Sequence, residues 1–321
     1  MQDDEKYMLT GLEFDGYQLT SKIGEGELGI VYLAVNREDG TVAACKILKN
    51  ELSQAGVAVQ QFVYEAKVAA KLEHQNIIKA INAGHTAGYY YLLMEYVNGV
   101  SLENMRVNEP GRLTLDFLCE RFRELADALD YAWRNHLLTH GDIKPENILI
   151  QTEPATLKLA DLGLAKVAVN TPYHHNTIMG TPLYIAPELA SGEQEKATVQ
   201  SDIYSFGVMF YELLSGNAPF TGSVEDVLRC HIEAEPIPVR DYNPEIPEKV
   251  AEFIHKCLAK SPQERPEDWA AVARFLGSWK EEKPVKTKEK KKSELTIIHK
   301  AVIVFLILFI IAELVITFFF I

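Results

Sequence analysis

Residues 140–150 of this 321-residue chain read His140-Gly141-Asp142-Ile143-Lys144-Pro145-Glu146-Asn147-Ile148-Leu149-Ile150. Asp142 and Asn147 flank a proline, which interrupts helices, so we expect both residues on a loop. The apolar run that follows predicts a strand directly after this loop. A carboxylate and an amide at the edge of a sheet can together hold a hydroxyl nucleophile and a metal ion.

A second carboxylate follows the next predicted strand. Asp161 comes directly after the alternating run Leu157–Ala160 and begins the tripeptide Asp161-Leu162-Gly163. Oxygen ligands at two neighbouring strand ends are typical of a Mg²⁺ site. Asp and Asn also cap ordinary turns, and either residue alone would fit that alternative. Their joint order and spacing favour the metal site.

A glycine-rich loop lies near the N-terminus, where residues 24–31 read Gly24-Glu25-Gly26-Glu27-Leu28-Gly29-Ile30-Val31. Glycines let the backbone approach phosphates closely, with amide N–H groups as donors. A dinucleotide-binding fold requires a helix after such glycines. Here a strand follows, so we expect a loop between two strands that lies over phosphates. A plain hairpin turn is the alternative.

Lys46 and Glu65 are charged residues within apolar stretches, so each can be interpreted either as a buried functional group or as a surface charge. Lys46 ends the apolar strand Ala43–Lys46, and Glu65 lies in the predicted helix Gln60–Leu72. If that helix packs on the sheet, Glu65 can orient a buried lysine that binds phosphates. Each residue alone would also fit a solvated surface charge.

The order of predicted elements indicates an α+β protein with two lobes. Hairpin strands begin at Tyr17, and two more strands are predicted at Ile77–Ala83 and Tyr89–Tyr96. After Leu113 the pattern becomes helical. The predicted helices are residues 115–135, Ser201–Leu214 and Glu248–Leu258.

These motifs resemble those of Ser/Thr protein kinases, and among them the bacterial membrane-anchored ones. The resemblance covers about Tyr17 to Gly277. It implies the two-lobed protein kinase fold: a small antiparallel-sheet lobe with one main helix, and a large helical lobe. It also implies a protein substrate and the use of ATP with Mg²⁺ or Mn²⁺.

The resemblance also implies a role for each motif residue. Asp142 would orient the substrate hydroxyl and accept its proton, and Lys144 would neutralise the γ-phosphate. Lys46, paired with Glu65, would bind the α- and β-phosphates. The metal ligands would be Asn147 and Asp161.

The nucleotide would lie between the glycine-rich loop and the rest of the cleft. Its adenine would be sandwiched by apolar side chains, with a hinge after a gatekeeper residue, Met94. The implied nucleotide-binding residues are Gly24, Glu25, Gly26, Gly29, Val31, Ala44, Lys46, Met94, Glu95, Val97 and Leu149.

Signatures later in the chain agree with this resemblance. Residues 180–188 read GTPLYIAPE, which is similar to the kinase segment that shapes the peptide-binding floor. Asp202 and Arg265 match the residues that brace the catalytic loop and pair with Glu188.

The sequence departs from the family pattern at two positions. Gly141 stands where the family has an arginine that pairs with a phosphorylated activation-loop residue, and glycine cannot make that charge-assisted bond. We therefore expect phosphate at Thr171, Tyr173 or Thr177 not to act as a strong on-switch. Leu162 replaces a phenylalanine, and we expect little effect because it is still an apolar plug.

The Gly141 departure leaves two alternatives open. Small-molecule kinases of the aminoglycoside phosphotransferase type share the fold and often show His-Gly-Asp, but Lys144 and the segment 180–188 favour a protein substrate. The other alternative is a pseudokinase, which would be a tethered scaffold without catalysis. The filled phosphoryl-transfer positions argue against it.

Composition excludes some partners and compartments. Acidic residues outnumber basic ones 45 to 32, and the net charge of −13 argues against nucleic acid as a partner. The 4 cysteines are widely spaced, which predicts a reducing compartment.

The C-terminus predicts a membrane anchor. Residues 301–321 are 21 residues with only Glu313 charged, which is long enough to cross a bilayer. The lysine-rich stretch before them places that side, and the kinase domain, in the cytoplasm. With the chain ending at Ile321, we expect no domain beyond the membrane. A charged Glu313 would be costly in lipid, so we expect it to be protonated or to pair with another chain, in a homodimer or with a transmembrane partner. Tolerated placement in a tilted helix is the alternative.

The sequence therefore predicts four segments. These are an N-terminal extension (1–16), a protein kinase domain (17–279, with lobes 17–97 and 98–279), a lysine-rich juxtamembrane linker (280–296) and a transmembrane helix (297–321).

Overall fold

The computed structural model describes residues 9–161, 166–167, 181–193 and 197–280, with only the backbone described at 166 and 167. It confirms the two predicted lobes. Among the described residues no helix is long and apolar enough to span a bilayer. The predicted span at 297–321 lies outside the described residues.

The N-terminal lobe is a six-stranded antiparallel sheet with one long helix. The strands are β1 (Glu13–Phe14), β2 (Tyr17–Glu25), β3 (Gly29–Asn36), β4 (Val42–Leu48), β5 (Ala80–Thr86) and β6 (Tyr89–Glu95), and they lie in the order β1-β2-β3-β4-β6-β5. The alternation of their side chains gives the sheet two apolar faces. One face packs Phe14, Tyr32 and Leu93 into a closed cluster.

The opposite face of the sheet carries the helix α1 (Gly56–Ala69). Phe62 and Ala66 lie one turn apart on α1 and pack against Leu48 and Leu92. Glu65 lies on the same side of the helix and is buried. This packing fulfils the condition that the sequence set for Glu65 to reach the sheet.

The connection between α1 and β5 differs from the prediction of a strand at Ile77–Ala83. The strand begins at Ala80, because Ile77 is 2% exposed and packs in the core of the C-terminal lobe. The Asn76 amide nitrogen donates to the Leu157 carbonyl at 2.8 Å, and the Ile78 N–H donates to the Leu159 carbonyl at 3.0 Å. These bonds tie the connection between α1 and β5 to the other lobe.

The C-terminal lobe is mainly helical. Its helices are α2 (Leu102–Asn108), α3 (Leu115–His136), α4 (Pro187–Ala190), α5 (Val199–Ser215), α6 (Val224–Glu233), α7 (Val239–Tyr242), α8 (Glu248–Cys257) and α9 (Trp269–Ser278). Its short strands are β7 (Gly99–Ser101), β8 (Leu138–Thr139), β9 (Ile148–Gln151), β10 (Leu157–Leu159) and β11 (Lys166–Val167). The three long predicted helices are confirmed as α3, α5 and α8.

An aromatic cluster joins α3, α5 and α9. Phe122 of α3 meets Phe206 and Phe210 of α5 at ring-centroid distances of 5.1 and 5.2 Å, and Trp269 of α9 meets Phe206 at 5.9 Å. Such edge-to-face pairs add specific packing to area burial. The same α5 carries Asp202, which accepts hydrogen bonds from the loop between β8 and β9 that contains Asp142.

Candidate active site

Strand register places four of the predicted residues on one face of the sheet. In β3 and β4, Val31 lies opposite Lys46, and in β4 and β6, Ala44 lies opposite Met94. Paired residues share a face, as do residues two apart on a strand. Val31, Ala44, Lys46 and Met94 therefore all face the same side as α1.

Lys46 is buried between two carboxylates. Its Nζ donates to Glu65 Oε1 and to Asp161 Oδ1, each at 2.6 Å. Burial disfavours the ammonium charge, but the two carboxylates outweigh it and raise the pKa of Lys46. Partial desolvation opposes ionisation of Asp161, yet the charge of Lys46 and its hydrogen bond keep the pKa of that carboxyl low. Lys46 is thus a fixed cation at the cleft.

Glu65 has the opposite balance. Burial of its carboxyl is the largest effect and raises its pKa, against the attraction of Lys46. Its side chain is only 4% exposed. Glu65 therefore orients Lys46, although burial of its own carboxylate costs desolvation free energy that an exposed carboxylate would not lose.

The glycine-rich loop connects β2 to β3 and is held at its base. The Gly26 N–H donates to the Gly29 carbonyl at 2.8 Å. A Cβ at Gly29 would lie 2.7 Å from the Ile47 carbonyl oxygen of β4, so no side chain fits there. Gly24 lies opposite Val31 at the end of β2.

The Glu25 side chain is occupied within this loop. Its carboxylate contacts Lys22 at 2.7 Å and Lys49 at 2.8 Å, and the hydrogen bonds from these two lysines lower its pKa to about 2. A nucleotide contact by Glu25 would therefore use its backbone.

The predicted hinge follows β6. The Glu95 side chain contacts Lys158 of β10 at 2.5 Å, and the Glu95 N–H donates to the Lys79 carbonyl at 2.9 Å. Val97 lies in the predicted hinge and Leu149 lies on β9, and both side chains are partly exposed.

The loop after β8 is shaped by buried hydrogen bonds. The Asp202 carboxylate accepts from the His140 N–H at 2.6 Å and the Gly141 N–H at 2.8 Å. His140 Nε2 lies 3.1 Å from the Ala160 carbonyl, so that nitrogen is the donor, and its Nδ1 accepts from the Asp142 N–H. Gly141 has φ +80°, a conformation that glycine adopts readily. The predicted brace by Asp202 is present.

Asp142 is the centre of a polar cluster. Its carboxylate contacts Lys144 Nζ at 2.7 Å and accepts from Asn147 Nδ2 at 3.1 Å. Its Oδ1 accepts from the Thr181 hydroxyl at 2.9 Å, and the same hydroxyl accepts from Lys144 Nζ at 2.7 Å. This carboxylate–lysine pair already holds an aliphatic hydroxyl.

The segment after Thr181 is fixed by a buried ion pair. Arg265 donates to both oxygens of Glu188, at 2.9 and 2.8 Å, and its side chain is fully buried. Burial opposes the charge of Glu188, but Arg265 keeps its pKa low. Arg265 also lies over the ring of Tyr204 at 4.9 Å. This is the pair that the sequence predicted.

The sequence did not predict two contacts of this site. His231 of α6 binds the Leu183 carbonyl, and Thr181 lies within a motif that was quoted without a role for that residue. A lone histidine at helical spacing from Val227 gives no pattern beyond a buried helix face. Leu162, Gly163, Thr171, Tyr173 and Thr177 lie outside the described residues.

Similarity to known proteins agrees with this geometry. Residues 17–274 match the family model for the protein kinase domain. Serine/threonine-protein kinase PrkC of Bacillus subtilis is 34% identical over 263 residues, which cover 81% of this chain and 40% of PrkC. Serine/threonine-protein kinase PknA of Mycobacterium tuberculosis is 36% identical over 256 residues, covering 78% of this chain and 58% of PknA.

Solved structures support the fold alone. The crystal structure of the Mycobacterium tuberculosis PknI kinase domain gives a TM-score of 0.65 at 23% identity, covering 84% of this chain and 98% of that one. A double mutant of the same domain gives 0.66 at 24% identity, covering 84% of this chain and 97% of that one. The family model covers well over half of the 321 residues. The chain therefore belongs to the protein kinase domain family.

Proposed function

We propose that the chain is a Ser/Thr protein kinase that transfers the γ-phosphoryl group of ATP to a protein hydroxyl. The observation that carries this proposal is the Thr181 hydroxyl held between Asp142 Oδ1 and Lys144 Nζ, at 2.9 and 2.7 Å. A carboxylate and an ammonium so arranged suit a serine or threonine hydroxyl. The two relatives described above carry the name Ser/Thr kinase, and this chain spans only 40% and 58% of their lengths.

The chain's own residues would act by position and charge. Asp142 would align the acceptor hydroxyl and take its proton as the oxygen attacks the γ-phosphorus. The bond between that phosphorus and the β–γ bridging oxygen breaks, and ADP leaves. Lys46 would neutralise the α- and β-phosphates, and Lys144 would offset charge at the γ-phosphate.

The donor set fits Mg²⁺. Asn147 uses its amide nitrogen to bind Asp142, which leaves its oxygen Oδ1 as a ligand, and the Asp161 side chain is 45% exposed. The described residues contain no group of three or more His, Cys, Asp or Glu that could hold a metal alone. Mg²⁺ commonly takes one or two protein ligands plus substrate phosphates, and when bound it neutralises phosphate charge.

The nucleotide site would use the face of the sheet described above. Val31, Ala44 and Leu149 would enclose the adenine, and the backbone from Glu95 to Val97 would form the hinge beside Met94. The backbone of Gly24, Glu25, Gly26 and Gly29 would cover the phosphates.

Intact-mass spectrometry tests the activity. Every buried cluster of the described residues lies before Lys280, so residues 1–283 can be used. Incubated with Mg-ATP and a basic acceptor protein, the wild type is expected to add phosphate to serine or threonine, and the Asp161→Asn variant to add none. Nucleotide binding without phosphate on either variant would replace this proposal with the scaffold alternative. Small alcohols would then be the next acceptors to test.

We also propose that residues 297–321 anchor the chain, with the kinase domain in the cytoplasm. The support is the run of 21 residues in which only Glu313 is charged, and the lysines before it. The full chain is expected in the membrane fraction of cells and residues 1–283 in the supernatant. Intramembrane crosslinking of two chains should fall in the Glu313→Leu variant. Equal distribution of both lengths would contradict the anchor, and unchanged crosslinking would contradict the pairing role of Glu313.

A further inference from the structure

We infer that His231 is a positioning residue for the acceptor protein, because it fixes the backbone of the segment 181–188 at Leu183. This inference rests on the proposed function, since the acceptor would lie along that segment. The Thr181 hydroxyl contacts Asp142, and Leu183 is two residues further along the same segment.

His231 makes two directional hydrogen bonds. It is fully buried at the end of α6, with Nε2 3.0 Å from the Leu183 carbonyl oxygen and Nδ1 2.9 Å from the Tyr204 hydroxyl. A carbonyl oxygen only accepts, so Nε2 carries the proton. In the neutral ring Nδ1 then accepts from Tyr204, and that bond fixes the tautomer that donates to Leu183.

The surroundings favour the neutral ring. Burial lowers the pKa of His231 to about 4, and the nearby Lys260 acts in the same direction. Lys260 Nζ also donates to the His231 carbonyl at 3.0 Å, and the ring of Phe220 meets the imidazole edge-on at 5.0 Å. Contacts to both ring nitrogens, to the ring itself and to the backbone carbonyl of His231 therefore hold the imidazole in place.

The bond to Leu183 lies between two other attachments of the same segment. At one end Thr181 is bound by Asp142 and Lys144, and at the other Glu188 is bound by Arg265. Without His231 the middle of the segment would keep apolar contacts but lose its polar link to α6. A leucine would fill similar space, so the polar link is the property that distinguishes histidine here.

Steady-state kinetics of the full chain in detergent micelles test this inference, with Mg-ATP and histone as the acceptor. The His231→Leu variant is expected to raise the KM for histone about tenfold, with the KM for ATP changed by less than about twofold. The His231→Gln variant keeps a donor near Nε2 and should recover most of the loss. Equal increases in both KM values, or none in either, would overturn the inference.

His255→Leu is the matched control. His255 lies on α8 in the same lobe, is partly buried, and accepts from the Val239 N–H at 3.1 Å, so this variant also loses one backbone hydrogen bond. It should leave the KM for histone within about twofold of wild type. A tenfold rise in this control would show that general destabilisation explains the His231 result.

Hydrogen exchange separates this inference from the proposed function. Amides of Leu183–Leu189 should exchange about tenfold faster in His231→Leu than in wild type, and at wild-type rates in His255→Leu. If the wild type transfers no phosphate to any protein, the proposed function fails and exchange alone decides whether His231 fixes the segment. Unchanged exchange in His231→Leu overturns the inference.

Discussion

Replacing Asp142 with asparagine should lower kcat for phosphate transfer by about 10²–10⁴-fold, the range associated with loss of a general base. The change is nearly isosteric, removes the negative charge that contacts Lys144 at 2.7 Å, and replaces one carboxylate oxygen with an NH2 group that cannot take a proton. Lys46 and the glycine-rich loop are untouched, so the KM for ATP should change by less than about threefold. Phosphate incorporation into an acceptor protein, measured against ATP concentration, checks both values.

Glu146→Gln is the control for this prediction. Glu146 is an exposed acid in the same loop, between Pro145 and Asn147, so its replacement removes an equal charge from the same region. Its kcat should stay within about twofold of wild type, as for surface substitutions in general. A kcat within tenfold of wild type in Asp142→Asn would contradict the role proposed for Asp142.

Replacing Arg265 with methionine should lower the free energy of unfolding by about 3–5 kcal/mol, as expected when one partner of a buried ion pair is removed. Glu188 would be left with a buried charge, and the carbonyls of Gln200, Ala259 and Lys260 would each lose a donor at 2.8–2.9 Å. Urea unfolding followed by tryptophan fluorescence measures the difference.

Two further variants sharpen that measurement. Arg229→Met removes an ion pair with Asp226 in which the two side chains are 65% and 48% exposed, and it should leave the urea midpoint close to that of the wild type. Glu188→Leu combined with Arg265→Met removes both charges and should recover part of the loss. A cost below 1 kcal/mol for Arg265→Met alone would show that the pair does not support the lobe.

The sequence could predict those parts of the site in which the functional residues stand close together in the chain or follow neighbouring strands. Asp142 and Asn147 stand on one short loop and Asp161 follows the next strand, so adjacent strands bring them together without further information. Lys46 and Glu65 needed one assumption, that α1 packs on the sheet. The structure meets it through Phe62 and Ala66.

Contacts between distant elements could not be predicted in the same way. Ile77 reads as the start of a strand, yet the C-terminal lobe takes it into its own core, and β5 starts later. Glu25 stands among phosphate-binding glycines, but two lysines take its side chain. His231 has no periodic signal, because its partners Tyr204 and Leu183 come from separate parts of the chain.

Gly141 has an energetic consequence for the loop that carries Asp142. At φ +80° any residue with a Cβ would hold roughly 1–2 kcal/mol of backbone strain, which glycine avoids. The loop is therefore relaxed without help from a side chain at this position. An arginine at this position would carry that strain. A strong bond made elsewhere, such as one to a phosphate, would have to offset it. Changing Gly141 to arginine would therefore make the loop depend on a phosphate only at the cost of this backbone strain.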